Sequence, residues 1–270
     1  MNGAPQANTA RYTPGYSANA AAFMSSRTAE SHAGFFLPYL RPGMRVLDCG
    51  CGPGTITLDL ARRVHPGFVT GVDIAAGQIA LAEAAAIYQG VANVLFRSCS
   101  IEQMTPEDEP FDAAFSHALL EHLADPVASL RRVRSLLKPG GVIGVCSPDW
   151  RGFLVAPSSP ALTEAIEFYQ RLQRENGGSV DAGGRLGEWL EQAGFSNVRM
   201  AARYECYANR THIGEYLAQR IEQAEAVDGA VTKGWIDPEG PQRLTQTLRM
   251  WQRQPSGLFA QAWVSAIGWA

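Results

Sequence analysis

The chain has 270 residues, of which 46% are hydrophobic and 18% charged, and its formal net charge is -3. This composition is typical of a soluble globular protein that buries one large core, or one domain with an elaborated cap. The arginines are scattered and only Lys138 and Lys233 are lysines, so the dense positive charge of a nucleic-acid binder is missing.

Other protein classes are disfavoured as well. No apolar run reaches the ~20 residues that a membrane-spanning helix needs, and the first ten residues lack the basic start and apolar core of a signal peptide. The five cysteines are scattered, and the single residue between Cys49 and Cys51 does not fit a zinc site. We therefore expect a cytoplasmic protein with reduced cysteines and no membrane, nucleic-acid or metal partner.

The first 40 residues are predicted to form a separate N-terminal part. Residues 1–20 have the composition of a mobile arm, and the apolar pattern of 21–40 favours helix until Arg41-Pro42-Gly43 breaks it. We therefore divide the chain into an arm with cap helices, 1–40, and a main domain, 41–270.

Short apolar segments then alternate with amphipathic ones. Strands are predicted at 45–49, 68–72, 93–97, 111–116 and 142–147, and helices at 55–64, 76–89 and 126–137. This alternation predicts a parallel sheet covered on both faces. The second half departs from it, with helices predicted at 160–175, 185–193, 210–227 and 240–253 and strands at 195–204 and 258–268. Insertions near 149–183 and 205–255 are predicted to cover a substrate pocket.

A glycine-rich loop, in V-L-D-C-G-C-G-P-G-T, follows the first strand and opens the first helix. A P-loop is excluded because no Gly-Lys-Ser/Thr follows. A dinucleotide loop is disfavoured because Gly50, Gly52 and Gly54 do not have the spacing G-x-G-x-x-G. The ligand of this loop is therefore expected to lack a pyrophosphate.

Two carboxylates at strand ends indicate further properties of the ligand. Asp48 lies just before the loop, where it would repel a pyrophosphate and suit an ammonium or a sulfonium. Asp73 ends the second strand, about 20 residues beyond the loop, where a carboxylate can bind both ribose hydroxyls. A ribose with a cationic end describes S-adenosylmethionine.

These segments resemble the class I S-adenosylmethionine-dependent methyltransferases, and most closely their UbiE-like small-molecule branch. V-L-D-C-G-C-G-P-G-T resembles motif I, and G-V-D-I-A-A-G-Q-I-A-L-A resembles motif II. F-D-A-A-F-S-H-A-L-L-E-H-L-A-D-P and L-L-K-P-G-G-V-I-G-V resemble the fourth-strand and fifth-strand segments. The resemblance covers about 45–147, and 15–40 also resemble the N-terminal cap of such enzymes.

The resemblance implies a doubly wound, Rossmann-like α/β fold with a seven-stranded, mostly parallel sheet whose last strand is antiparallel. It implies S-adenosylmethionine as methyl donor and S-adenosylhomocysteine as product. It implies Asp73 on the ribose and Ile74 against the adenine, while Gln78 has a solvated helix face as its alternative. Together with the loop, the predicted cofactor positions are Asp48, Gly50, Cys51, Gly52, Gly54, Asp73, Ile74, Gln78, Ser100, Ile101, Ser116 and His117.

One position departs from the family pattern. After the third strand the family usually has G-D-A, whose Asp bonds the adenine amino group, whereas this sequence has Cys99-Ser100-Ile101. Ser100 can accept the same hydrogen bond, but a neutral oxygen accepts it more weakly than a carboxylate. We therefore expect adenine to be bound more weakly at this position.

Methyl transfer from a sulfonium mainly requires alignment of the reacting atoms and exclusion of water. A hydroxyl acceptor also needs a general base, and His117 is the candidate because it follows the fourth strand and faces the ligand crevice. Glu121 and His122 are interpreted as packing or capping residues.

The candidates for the acceptor site are Tyr12, Tyr16, Trp150, Arg151, His212 and Tyr216. The two tyrosines would close over the site as a lid, with a disordered arm as the alternative. Trp150 and Arg151 favour a flat or anionic acceptor, with a structural Trp as the alternative. The helix face that carries His212, Tyr216 and Arg220 either roofs the pocket or faces solvent.

The leading hypothesis is a methyltransferase that acts on a small molecule. The alternatives are a non-catalytic relative and a nicotinamide-dependent oxidoreductase, and both Asp48 and the glycine spacing argue against the latter. The acceptor, and whether N, O or C is methylated, stay open. The Trp and Phe residues of the last 40 positions, interpreted as exposed, are consistent with a homodimer.

Overall fold

A computed structural model describes residues 24–105, 110–207, 210–222 and 229–270. Within them, seven strands form one sheet: β1 Arg45–Cys49, β2 Phe68–Asp73, β3 Val94–Ser98, β4 Phe111–His117, β5 Leu137–Ala156, β6 Ser196–Cys206 and β7 Leu258–Trp269. The helices are α1 Ala29–His32, α2 Thr55–Val64, α3 Ala76–Gln89, α4 Pro126–Leu136, α5 Pro160–Glu175, α6 Ala182–Gln192, α7 Arg210–Ile221 and α8 Gly240–Trp251. Among the residues described, no helix combines the length and apolar character that a membrane crossing requires.

The strand order in the sheet is β3-β2-β1-β4-β5-β7-β6. Strands β1 to β5 pair in parallel, and β7 runs antiparallel to both β5 and β6. The predicted fold class is therefore confirmed, including the antiparallel last strand. Because β1 lies between β2 and β4, the connections diverge at its carboxyl end, where open α/β sheets bind their ligands.

The fifth strand is much longer than the predicted 142–147. It continues to Ala156 because β7 pairs with it as far as Leu258, with an irregularity between Asp149 and Phe153. Such a bulge redirects side chains out of the regular alternation. Trp150 and Arg151 lie in this irregularity, where Trp150 is buried and Arg151 is exposed.

The helix predicted for 21–40 is interrupted in the described part. Met24 and Ser25 are helical, and after a break the short α1 and a 3-10 turn at Leu37–Tyr39 follow. Thr28 caps α1 through a reciprocal bond with Ser31. Phe36 is fully buried and stacks on Phe115 with 5.4 Å between ring centroids. The segment therefore takes its position from the sheet rather than from helix propensity.

Successive residues of a strand point to opposite faces of the sheet. Leu47 accordingly belongs to the core under α4 and α6, and Val46 to the core under α1 and α2. A third core, here named the cap core, joins α5, α7 and α8 to the sheet through Trp150 and Phe259.

The Trp and Phe residues near the carboxyl terminus are mostly interior. Trp251, Phe259 and Trp263 are buried, which corrects their interpretation as exposed. They pack on the cap core or the site, so they supply no surface for a second copy. A homodimer stays a prediction without that support.

Candidate active site

The glycine loop has the left-handed backbone that its sequence requires. Gly50, Gly52 and Gly54 have φ angles of 72°, 52° and 78°, which side chains other than glycine adopt only with strain. A Cβ on Gly54 would lie 2.7 Å from that of Ala82, so this glycine lets α2 approach α3. A Cβ on Gly52 would meet only the Met24 sulfur, at 3.9 Å. Gly52 therefore borders open space.

Asp73 ties the loop to the end of β2. Its Oδ2 accepts the Gly52 N–H at 3.0 Å, and its Oδ1 accepts the Ala75 N–H at 2.9 Å. A carboxylate has about four acceptor positions, so Asp73 keeps capacity for a ligand while the loop fixes it in place.

Asp48 is buried at the end of β1, where the Thr57 hydroxyl donates to its Oδ2 at 2.6 Å. Burial raises the pKa of Asp48 to about 7, against the effect of the Thr57 bond, and nearby Asp73 raises it further. A cationic ligand group beside Asp48 would favour its ionised form.

A cavity of about 620 Å³ opens where β1, β2 and β4 end. Nine predicted cofactor positions line it: Asp48, Gly50, Cys51, Gly52, Asp73, Ile74, Gln78, Ser100 and His117. The other three do not. Gly54 packs against α3, Ile101 is buried in the core, and the Ser116 hydroxyl donates to the Cys49 carbonyl at 3.2 Å.

Gln78 faces the cavity and not the solvent. Its side chain is buried, and no described residue forms a hydrogen bond with its Oε1. The solvated-face alternative is therefore wrong, because α3 packs this face towards the loop. A buried acceptor without a partner is suited to a ligand that donates.

The cavity wall near Ser100 holds a carboxylate that the sequence did not predict. Glu102 lines the cavity two residues after Ser100 and accepts a hydrogen bond from Ser129. Burial alone would raise the pKa of Glu102, but the bond from Ser129 and weaker bonds hold it below its ordinary value. The signal was an acidic residue in the turn that follows Ser100.

His117 lines the same cavity in an aromatic environment. Its ring stacks on Trp263 with 4.8 Å between centroids and meets His32 edge-on at 5.1 Å. Neither ring nitrogen has a hydrogen-bond partner within the described part of the chain. Burial, with Arg27 and His32 nearby, holds the pKa of His117 well below 6.5. The imidazole is therefore neutral and weakly basic.

A second, smaller cavity of about 60 Å³ adjoins the first, and Met24, Arg27, Ala118 and His122 line both. Its walls are largely aromatic: Trp150, Tyr169, Tyr207, Tyr216 and Trp263. Its polar groups include Glu121, Gln173 and Gln261. The two cavities therefore share part of their walls, the larger one lying at the glycine loop and the smaller one at α5 and α7.

Glu121 was interpreted as a packing or capping residue, but its carboxylate lines the small cavity. The Ser147 hydroxyl donates to its Oε2 at 2.8 Å, and His122 Nε2 lies 3.6 Å from its Oε1. Burial raises the pKa of Glu121 to about 7 and lowers that of His122 to about 3. This pair sits where the cavities meet.

The structure separates the predicted acceptor residues. Trp150 and Tyr216 line the small cavity. Arg151 is exposed and bonds Asp149 at 2.6 Å, and His212 is exposed on α7, so neither lines a cavity. The face predicted to carry His212, Tyr216 and Arg220 divides because only the last two turn towards the cap core. Tyr12 and Tyr16 lie outside the described residues.

A match to a known protein family identifies the kind of enzyme that carries this site. Residues 40–200, more than half of the chain, match the family described as a methyltransferase domain. The chain is a class I S-adenosylmethionine-dependent methyltransferase. This methyltransferase is thereby distinguished from the nicotinamide-dependent oxidoreductases, and the resemblance of 45–147 is confirmed.

Curated relatives of this methyltransferase carry the same activity in their names. It is 29% identical over 245 residues to an uncharacterized methyltransferase of Schizosaccharomyces pombe, covering 86% of this chain and 87% of that protein. It is 38% identical over 105 residues to a ubiquinone biosynthesis O-methyltransferase of Cereibacter sphaeroides, covering 39% and 41% of the two chains. The second match is therefore confined to less than half of either protein.

Solved structures share the fold of this methyltransferase. The YcgJ protein of Bacillus subtilis has a TM-score of 0.59 at 19% identity, over 87% of this chain and 96% of its own. A phosphoethanolamine N-methyltransferase of Haemonchus contortus, crystallised with S-adenosylhomocysteine, has a TM-score of 0.53 at 20% identity, over 85% and 49%. At these identities the likeness extends to the fold alone.

Proposed function

We propose that the large cavity holds S-adenosylmethionine and that the small cavity receives the reacting end of a small-molecule acceptor. The observation that carries this proposal is the 620 Å³ cavity that joins the glycine loop, Asp48 and Asp73 at the carboxyl ends of β1 and β2. When bound, S-adenosylmethionine supplies a methyl group on a positively charged sulfonium.

The lining of the large cavity fits this cofactor. Asp73 has free acceptor capacity for the ribose hydroxyls, and Gln78 Oε1 lacks a donor. Ile74 is 67% exposed at the cavity edge, so an adenine ring lying on it would bury apolar surface. Asp48 lines the same cavity at the end of β1, where it would stabilise the cationic part.

Adenine would also contact Glu102, whose carboxylate is oriented by a hydrogen bond from the Ser129 hydroxyl. A carboxylate accepts a hydrogen bond from the amino group more strongly than the hydroxyl of Ser100 does. Glu102 would thus supply the interaction that the family's Asp gives and that Ser100 gives weakly.

The acceptor proposal depends on enclosure. Tyr169 on α5, Tyr216 on α7 and Trp150 in the β5 irregularity wall the small cavity, and only a few atoms fit within it. Ala118 and His122 border both cavities, so the acceptor and the methyl group would meet beside them. Holding both partners there supplies the alignment that the reaction needs and excludes water.

The test measures the affinity for S-adenosylhomocysteine by calorimetry in the wild type and in Asp73→Asn. We expect binding to weaken at least about tenfold, equivalent to about 1.4 kcal/mol, since the ribose and the loop lose a charged acceptor. Asp237→Asn is the matched control, because Asp237 lies on the exposed surface and pairs with Arg243. Unchanged affinity in Asp73→Asn, or binding of NAD in place of S-adenosylhomocysteine, would contradict the proposal.

A further inference from the structure

Glu121, Gln173 and Gln261 are buried polar side chains that line the small cavity, and each comes from a different part of the fold. Among the residues that the structure describes, Oε1 of Gln173 and Nε2 of Gln261 have no hydrogen-bond partner. Buried polar atoms are ordinarily paired. An unpaired acceptor and an unpaired donor together complement a hydroxyl group, which both donates and accepts.

The carboxylate of Glu121 is oriented before any ligand arrives. Ser147, from β5, donates to its Oε2 at 2.8 Å. The distance from its Oε1 to His122 Nε2, 3.6 Å, is longer than a hydrogen bond. Since a carboxylate accepts about four hydrogen bonds, Glu121 retains the capacity to accept a proton from a group inside the cavity.

Arg27 places a positive charge beside both cavities. A hydroxyl that loses its proton would be stabilised there by this charge. The same cation favours the ionised form of Glu121. The site is therefore suited to an acceptor that enters neutral and gives up a proton.

We propose that Glu121 is the general base of methyl transfer and that the acceptor is a hydroxyl compound whose O–H end enters the small cavity. This inference rests on the proposed function. The acceptor's O–H bond breaks and the proton moves to the Glu121 carboxylate, while an electron pair of the oxygen forms the new bond to the methyl carbon. The bond between carbon and sulfur breaks, and its electron pair stays on the sulfur, which becomes neutral.

The titration of the surrounding groups supports Glu121 as the base. Burial raises its pKa to about 7, while Ser147 and Arg27 act in the opposite direction, and a general base works best with a pKa near the working pH. Burial lowers the pKa of His117 and that of His122, so both are poorer proton acceptors. Cys146 and Tyr216 also interact electrostatically with Glu121. Burial raises the pKa of both groups, so they stay protonated near neutral pH.

The first experiment measures the binding of catechol, a small planar diol suited to aromatic walls, to the protein loaded with S-adenosylhomocysteine at pH 8. We expect Glu121→Gln to bind catechol at least about tenfold more weakly, because a hydrogen bond to a charged acceptor is lost. Glu188→Gln, the same change on the exposed face of α6, should leave the affinity unchanged. Catechol affinity that is equal in Glu121→Gln and wild type would overturn the inference.

The second experiment follows catechol affinity and hydroxyl methylation against pH. Both should fall as the pH drops through about 7, because Glu121 becomes protonated. Ser147→Ala removes a bond that lowers this pKa, so the fall should move to higher pH, a shift that a packing role would not produce. A flat profile, or methylation of 1,2-diaminobenzene in preference to catechol, would refute the inference. Failure to bind S-adenosylhomocysteine would instead refute the proposed function.

Discussion

Gly52 and Gly54 share a left-handed backbone but have different surroundings, and this difference separates function from stability. A Cβ on Gly54 would press on Ala82, whereas one on Gly52 would enter the large cavity. Each alanine costs about 1–2 kcal/mol of backbone strain. We expect Gly54→Ala to lose clearly more free energy of unfolding than Gly52→Ala, measured by chemical denaturation. Gly52→Ala should bind S-adenosylhomocysteine at least about tenfold more weakly. Unimpaired binding in Gly52→Ala would show that the loop does not face the ligand.

At the scale of elements, the N-terminal segment 24–40 contributes both to the core and to the site. Phe36 is fully buried against Phe115, while Met24 and Arg27 line the two cavities. We expect Phe36→Ala to lower the free energy of unfolding by about 3–5 kcal/mol and to weaken S-adenosylhomocysteine binding, since the segment loses its anchor.

Phe35→Ala is the matched control for this segment, because Phe35 is only half-buried. Its ring centroid lies 6.2 Å from that of Phe115. Its loss of stability should be clearly smaller. Equal losses in the two variants, measured by urea denaturation, would mean that the burial of Phe36 does not anchor the segment.

At the scale of the whole molecule, the ligand should link parts that are distant in the chain. Met24, the glycine loop and Asp73 all line the large cavity. We expect S-adenosylhomocysteine to slow hydrogen exchange at 24–33 and 50–54, by up to about a hundredfold at 100 times its dissociation constant. The end of α3, where Ile87 is 83% exposed, should exchange at an unchanged rate. Protection at 50–54 without protection at 24–33 would show that the segment is not coupled to the site.

The lining of the large cavity was largely predictable because its determinants are local. Asp48, the loop glycines and Asp73 stand at the ends of two strands, and parallel strands bring their carboxyl ends to the same edge. Nine of the predicted positions accordingly line one cavity. Glu102 was not predicted because the family pattern places the adenine ligand at position 100, and Glu102 lies two residues beyond it.

The lining of the small cavity was decided by tertiary structure. Glu121, Gln173 and Gln261 are far apart in the sequence, and they line one cavity because β7 pairs with β5 and Tyr169 of α5 packs on Trp150. The length of β5 likewise depends on its partner strand and not on its own residues. Sequence by itself determined the fold class and the turn of the glycine loop, since strand periodicity and glycine spacing are properties of neighbouring residues. Which polar groups are buried together around the small cavity is a property of packing between distant segments.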